Sequence, residues 1–187
     1  YDIASCLVGS EMCIRDSTGT QPTTLEAGTY FGSFGSWRNS VKASGATGDG
    51  THAGDVNYTL SGSRFTTHGF RDHSGTQKSL GNGKFGVRLD DVSTLTLMFN
   101  SVSVDANDPG GLTEDEYKAN PRQSPRGDNF NTRKSLDQTQ LGLRYQREMS
   151  DNDLLTLTTW HGERHTTQYQ SIPQGPQNLS LIHLSEP

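Results

Sequence analysis

The sequence is poor in almost everything that usually holds a soluble domain together. Hydrophobic residues make up only 29% of its 187 residues and glycine supplies 21, a balance close to the disordered range for a chain that must bury a conventional core. No run approaches the roughly 18 consecutive apolar residues of a transmembrane helix, and no segment carries a sustained helical period. Cysteine occurs twice, at Cys6 and Cys13, too near one end to frame a disulfide scaffold. The net charge of −5 excludes a strongly basic nucleic-acid binder, and no nucleic-acid partner is expected. A secretory signal is also missing, because Asp2, Glu11, Arg15 and Asp16 interrupt each apolar stretch at the N-terminus.

The two ends differ in character from everything between them. Leu7 to Ser17, within "CLVGSEMCIRDS", resembles the translation of a transposon adapter used in short-read sequencing libraries. The C-terminal "LSLIHLSEP", Leu179 to Pro187, resembles the opposite strand of the same adapter with one residue changed. Residues 1–17 and 179–187 are therefore expected to be adapter-derived and foreign, and residues 18–178 to be a native stretch truncated at both ends. Without the ends, Lys+Arg falls from 16 to 15 and Asp+Glu from 21 to 17, so the net charge becomes −2. Both cysteines go as well, and with them any disulfide or cysteine-based metal site.

One folded class tolerates so few apolar residues. In a membrane β-barrel only alternate residues of each strand face lipid, while the others line a polar lumen. Period-two alternation is indeed what recurs. Trp37, Val41 and Ala43 alternate with Arg38 and Lys42; Val56, Tyr58 and Leu60 with Asn57, Thr59 and Ser61. Phe85, Val87 and Leu89 face away from Lys84, Gly86 and Arg88; Leu95, Leu97 and Phe99 from Thr94, Thr96 and Asn100. Leu141, Leu143 and Tyr145 alternate with Gln140, Arg144 and Gln146, and Leu155 and Leu157 with Thr156 and Thr158. The connections alternate too. Gly45 to Asp55, Asp90 to Ser93 and Ser150 to Asp153 fall on a short-turn side, whereas Thr67 to Thr76 and Asp105 to Lys134 fall on a long-loop side, the asymmetry of outer-membrane barrels.

The stretches "GSFGSW" (Gly32 to Trp37), "GDVNYTLSGSRFTTHGFRDHS" (Gly54 to Ser74), "NDPGGLT" (Asn107 to Thr113), "FNTRKS" (Phe130 to Ser135) and "RHTTQYQSIP" (Arg164 to Pro173) resemble the early barrel of TonB-dependent outer-membrane receptors. The likeness is to the branch that takes up ferric siderophores and ferric citrate. It implies an all-β fold: an antiparallel up-and-down transmembrane barrel fragment, about seven strands of a barrel of about 22. Leu25 to Phe31 would be the first strand and Trp37 to Ala43 the second. It also implies a cell outer membrane in a Gram-negative bacterium, uptake of a ferric siderophore or similar chelate, and energy delivered by the TonB complex through an N-terminal plug missing from this chain. Outer-membrane lipid is a further implied partner. Iron would enter only as part of the cargo, with no resident cofactor and no metal site. A passive porin, reading solutes by lumen charge, and a soluble secreted β-rich binding protein are the competing classes. An enzyme is not expected, since no nucleophile elbow, phosphate loop or paired catalytic carboxylate stands in a supporting context.

Most remaining motifs have plain readings. "GNGKFG" (Gly81 to Gly86) matches a dinucleotide fingerprint but falls inside a strand, where small lumen-facing residues account for it. "RGD" (Arg126 to Asp128) is a coincidence in a loop. His161 and His165 would lie roughly 13 Å apart on one face of a strand and cannot share an ion; they read as interface or lumen histidines. The stretch Asp105 to Lys134 is the most informative, since a loop of such length is functional or disordered. It contains a short helix capped by Thr113 in "GLTEDEYKA". The candidate ligand-binding residues are Arg71, His73, Tyr117, Arg122, Arg126, Phe130 and Arg133, basic and aromatic groups suited to an anionic chelate because guanidinium grips carboxylates bidentately. His68 sits beside them.

Overall fold

In a computed structural model, residues 19–172 are described; the adapter-like ends lie outside them. Seven strands form one sheet in strict sequence order, each antiparallel to the last. They are β1 (Thr24–Gly32), β2 (Ser36–Thr47), β3 (Val56–Thr67), β4 (Thr76–Asp90), β5 (Ser93–Asn107), β6 (Arg133–Ser150) and β7 (Asp153–Tyr169). Two short helices, α1 (Glu114–Ala119) and α2 (Pro125–Phe130), interrupt the β5–β6 connection. The up-and-down all-β architecture implied by the resemblance is the one observed.

The pairing register carries each strand's apolar positions onto one common face. Ala43 stands opposite Leu60, Tyr58 opposite Phe85, Phe85 opposite Leu97, Leu97 opposite Leu143, and Tyr145 opposite Leu157. Cross-strand partners share a face, so these residues form a continuous apolar band across the sheet. The band is exposed: Leu141 is 49% and Leu157 57% accessible, while the only buried hydrophobic side chain among the described residues is Val102, on the opposite face. In water such a surface would forgo about 25 cal/mol for each Å² left wet; against lipid it needs no other cover.

The opposite face is mainly polar, with Leu80, Val102, Val104 and Leu136 toward the loop end, and is shielded on the central strands. Thr59, Thr96 and Val102 are buried there, as side chains crowd together on the concave side of a sheet rolled like a barrel wall. The reading of "GNGKFG" as lumen-facing holds only for Gly86. Gly81 and Gly83 share the parity of Phe85 and stand opposite Gly62 and Leu60 on the apolar face. A Cβ on Gly83 would come within 3.2 Å of Leu60 Cδ2, so its smallness makes room for that neighbour.

The strands also run further than their alternation. β6 has 18 residues and β7 has 17, well beyond the roughly 9–11 that cross a bilayer. The surplus lies at the long-loop end, where Ser101, Ser103, Ser135, Asp137 and Thr139 replace hydrophobes on the outer face. Beyond the apolar band the alternation inverts, with Val102 opposite Leu80 and Val104 opposite Leu136 on the inner face, and the backbone ladder continues because it depends on pairing, not on which face is apolar.

Candidate functional site: the loop end of the sheet

The three connections at one end close over each other. The first is the hairpin Ser33–Gly35, in which Phe34 adopts φ 60° and Gly35 φ 65°. Gly35 is required twice, for its left-handed backbone and because a Cβ there would sit 2.3 Å from His68 Nδ1. The His68 amide donates to the Phe34 carbonyl at 3.0 Å, tying the hairpin to the second connection, residues 68–75.

Arg71 joins the second connection to the third, residues 108–132. Its Nε donates to the Gln123 carbonyl at 3.1 Å and its Nη2 to the same oxygen at 2.8 Å. The same guanidinium reaches the Pro109 carbonyl at 3.2 Å and the Gly110 carbonyl at 2.5 Å. The rigid five-donor fork of arginine suits such a convergence of carbonyls. His73, at φ 52°, places Nε2 2.8 Å from the Thr132 carbonyl, and the Asp72 amide donates to the Arg122 carbonyl at 2.7 Å.

Aromatic contacts complete the assembly. Phe34 and Phe70 meet edge to face with centroids 5.4 Å apart. The Arg122 guanidinium lies 5.4 Å from the Phe70 centroid and 5.8 Å from that of Phe34, within cation–π range, while its Nε donates to the Phe70 carbonyl at 3.3 Å. Both rings remain largely exposed.

Within the third connection, α1 begins as the sequence suggests. The Thr113 hydroxyl accepts from the Glu116 amide at 3.3 Å, and the Glu116 carboxylate accepts from the Thr113 amide at 2.7 Å, a complete capping box. Those hydrogen bonds hold the Glu116 carboxyl below the ordinary glutamate range. "RGD" lies not in open loop but in α2, which opens with Pro125; proline at a first turn and flanking Ser124 are the signals that mark such a start.

The seven candidate residues therefore fall into two groups. Arg71, His73, Arg122, Arg126 and Arg133 are engaged with loop carbonyls, Arg126 through Nη1 to Gly111, Arg122 with Phe70 at 3.3 Å and Arg133 with Asn131 at 3.0 Å. Tyr117 and Phe130 are exposed, Arg122 stacks on two phenylalanines, and Arg133 stands at the start of β6 with its guanidinium 3.8 Å above the Tyr169 ring. Phe34 and Phe70 belong to the same assembly and carry no local pattern that would have marked them. His161 and His165 are on the outer face of β7, opposite Leu141 and Asp137, which removes the lumen alternative for them. At the opposite end, the ligand atoms of Asp49, His52 and Asp55 come within 4.8 Å of each other. Their carboxylates are engaged with the turn itself: Asp55 accepts from the Gly50 and His52 amides, both at 3.0 Å, and hydrogen bonds from Thr51 lower the Asp49 carboxyl to about 2.

An up-and-down sheet with an apolar outer band, a polar inner face, tight turns at one end and interlocked loops at the other has the fold of a membrane-barrel wall. A crystal structure of the ferric citrate transporter FecA in its unliganded form is similar to it, with a TM-score of 0.68 and 20% sequence identity over 83% of this chain. The match covers 23% of that transporter's chain, so this sequence has the fold of one segment of such a barrel. No protein-family model matches the sequence.

Proposed function

We propose that the chain is an early barrel segment of a TonB-dependent outer-membrane receptor that imports ferric chelates of the siderophore or citrate class. The observation that carries this reading is the continuous apolar band on the outer face, set back to back with a polar inner face beneath interlocked basic and aromatic loops. The likeness to a ferric citrate transporter supports it. In this reading the loops meet the chelate first, with Arg122, Tyr117, Phe130 and Arg133 offering cationic and π surface. In this reading the TonB complex supplies the energy coupling, and residues 18–178 are the receptor-derived stretch.

The chain should be recovered only in detergent or lipid. Leu143→Arg, on the apolar band, should weaken bilayer insertion by about 2–4 kcal/mol, while Gln140→Arg, on the inner face, should leave it nearly unchanged. Ferric citrate added to the detergent-held chain should quench tryptophan fluorescence to saturation, and Arg122→Ala should weaken that response. A soluble, cooperatively unfolding monomer would overturn the membrane assignment. A chain that inserts but never responds to ferric chelates would instead favour a passive pore.

A further inference from the structure

The register and the apolar band run in different directions across the sheet. One row of cross-strand partners on the outer face begins with Phe31 and Trp37 on β1 and β2 and ends with Asp105, Ser135 and Thr167 on β5, β6 and β7. The row is aromatic at one side of the sheet and polar at the other. Toward the short turns, the first large apolar side chain of the outer face is Phe31 itself on β1. It is Leu60 on β3 and Leu141 on β6, each three same-face steps from the row, and Leu157 on β7, five steps away. The other edge of the band drifts in the same sense, from Leu25 at three steps on β1 to Leu155 at six on β7.

From β1 to β7 the loop-side edge of the band thus shifts five steps over six strand spacings. Same-face positions are about 6.7 Å apart along a strand and neighbouring strands about 4.8 Å apart. The shift is then about 33 Å over a width of about 29 Å, an inclination of roughly 45–50° between the band and the register rows. Strands cross a bilayer at a tilt of about 45°, so a level membrane edge drawn on tilted strands produces this drift. Phe31 and Trp37 stack with centroids 5.7 Å apart and stay 76% and 47% exposed, as aromatic girdles do at the edge of a membrane barrel's apolar band. Thr29 and Asn39 fall inside the band and satisfy each other, the Thr29 hydroxyl donating to Asn39 Oδ1 at 2.6 Å, which removes the cost of placing them against hydrocarbon.

We infer that the surface of a lipid bilayer crosses the sheet obliquely, from Phe31 and Trp37 on β1 and β2 through Phe99 and Leu141 to the stretch just above Leu157 on β7. Position in the register is then not depth. Thr167 shares a row with Phe31 and stands about 20 Å farther from the bilayer centre. Asp105, Asp137 and Glu163, on the outer face beyond the line, are clear of hydrocarbon, where their charge belongs. A boundary drawn along the rows would either leave the stacked rings of β1 and β2 in water or sink Asp105 into lipid. The inference rests on the membrane part of the receptor reading and adds the level at which lipid meets each strand. It puts the Ser33–Gly35 hairpin at the membrane surface, so that the third connection, rising from the taller β5 and β6, reaches down to it through Arg122, 5.8 Å from the Phe34 centroid.

The test reconstitutes the whole chain into phosphatidylcholine bilayers with brominated acyl chains and reads the quenching of single tryptophans. Trp37 is read in a Trp160→Phe chain. Phe31→Trp, Leu143→Trp and Thr167→Trp are read one at a time in a Trp37→Phe, Trp160→Phe chain, with strand content checked by circular dichroism. Trp37, Phe31→Trp and Leu143→Trp should each lose at least about half of their emission, and Thr167→Trp less than about a tenth, because only the first three reach the hydrocarbon. Equal quenching of Phe31→Trp and Thr167→Trp, or stronger quenching of the second, overturns the oblique boundary; with Leu143→Trp quenched, the membrane reading still stands. An unquenched Leu143→Trp overturns both. Should Thr167→Trp lose strand content, His165→Trp on the same face of β7 takes its place, and its quenching refutes the proposal.

Discussion

At one end of the sheet the strands turn back through Asp91–Val92 and Asp151–Asn152, with a register shift beside each turn; at the other, three connections reach across each other through side chains. The turns are local. The residues that shape Gly48–Asp55 hydrogen-bond within that stretch, apart from the Gly54 amide, which meets the Arg88 carbonyl at 2.8 Å, and its partner bond from Arg88 to Asp55. The loop end depends instead on contacts between residues about fifty positions apart in sequence, such as Arg71 with Gln123 and His73 with Thr132. A turn of this kind forms with its hairpin, whereas the loop assembly can exist only once the sheet has brought β1 to β6 side by side. The difference teaches that a barrel can hold one end fixed by backbone chemistry while the other is built as a removable surface of polar and aromatic contacts.

Arg71→Ala should break this contrast most severely. It deletes the fork that satisfies the Pro109, Gly110 and Gln123 carbonyls, and a charged hydrogen bond is worth about 1.5–3 kcal/mol. Amide exchange across residues 108–132 should accelerate roughly a hundredfold while the short turns are unchanged. Arg71→Lys should rescue little, since a lysine cannot present the fork. Unaltered exchange in the third connection would mean that the loops are held by something else.

Thr113→Ala is a smaller, more local perturbation. Losing the cap costs about 1 kcal/mol and should fray α1 without releasing Arg71, as read from the α1 amides. The capping box also sets a pH response. Because Glu116 is more acidic folded than unfolded, its contribution is complete above its ordinary value of 4.5 and is lost as pH falls through the depressed value. Fraying of α1 should therefore set in on acidification in the native chain, and Glu116→Gln should flatten that response. An α1 equally ordered at every pH would show that the box is idle.

The mildest effect is expected at the other end. Asp49→Asn removes a strong acceptor from an exposed turn, and exchange within residues 50–55 should change by no more than about threefold, with none at the loop end. A change transmitted to residues 68–75 or 108–132 would erase the distinction between the ends.

Much of this was legible because it is local. Period two in the neighbourhood of Leu97, Leu143 and Leu157 follows from the geometry of a single strand, so it identified strands and the face each presents. Turn spacing gave the end asymmetry, and the Thr113–Glu116 spacing gave a helix start. The strands' extension past Asn100 and before Gln140 was hidden, because there the alternation changes sign, with Val102, Val104 and Leu136 on the inner face and Ser101, Ser103 and Asp137 on the outer one. Phe34, Phe70 and Gln123 were hidden for another reason: their partners lie far away in sequence, and no repeating pattern marks a loop residue that will meet another loop.

The amino-acid sequence by itself determined the strand order, the lipid-suited face and the chemistry available to each side, since backbone pleating fixes which residues share a face. Only the tertiary structure decided that eight bases from four strands share the inner face, that Arg71 locks two loops together, and that Phe34 and Phe70 flank Arg122. Those outcomes depend on register and on the meeting of distant loops, which hydrogen-bonded pairing across the whole sheet establishes and no local stretch encodes.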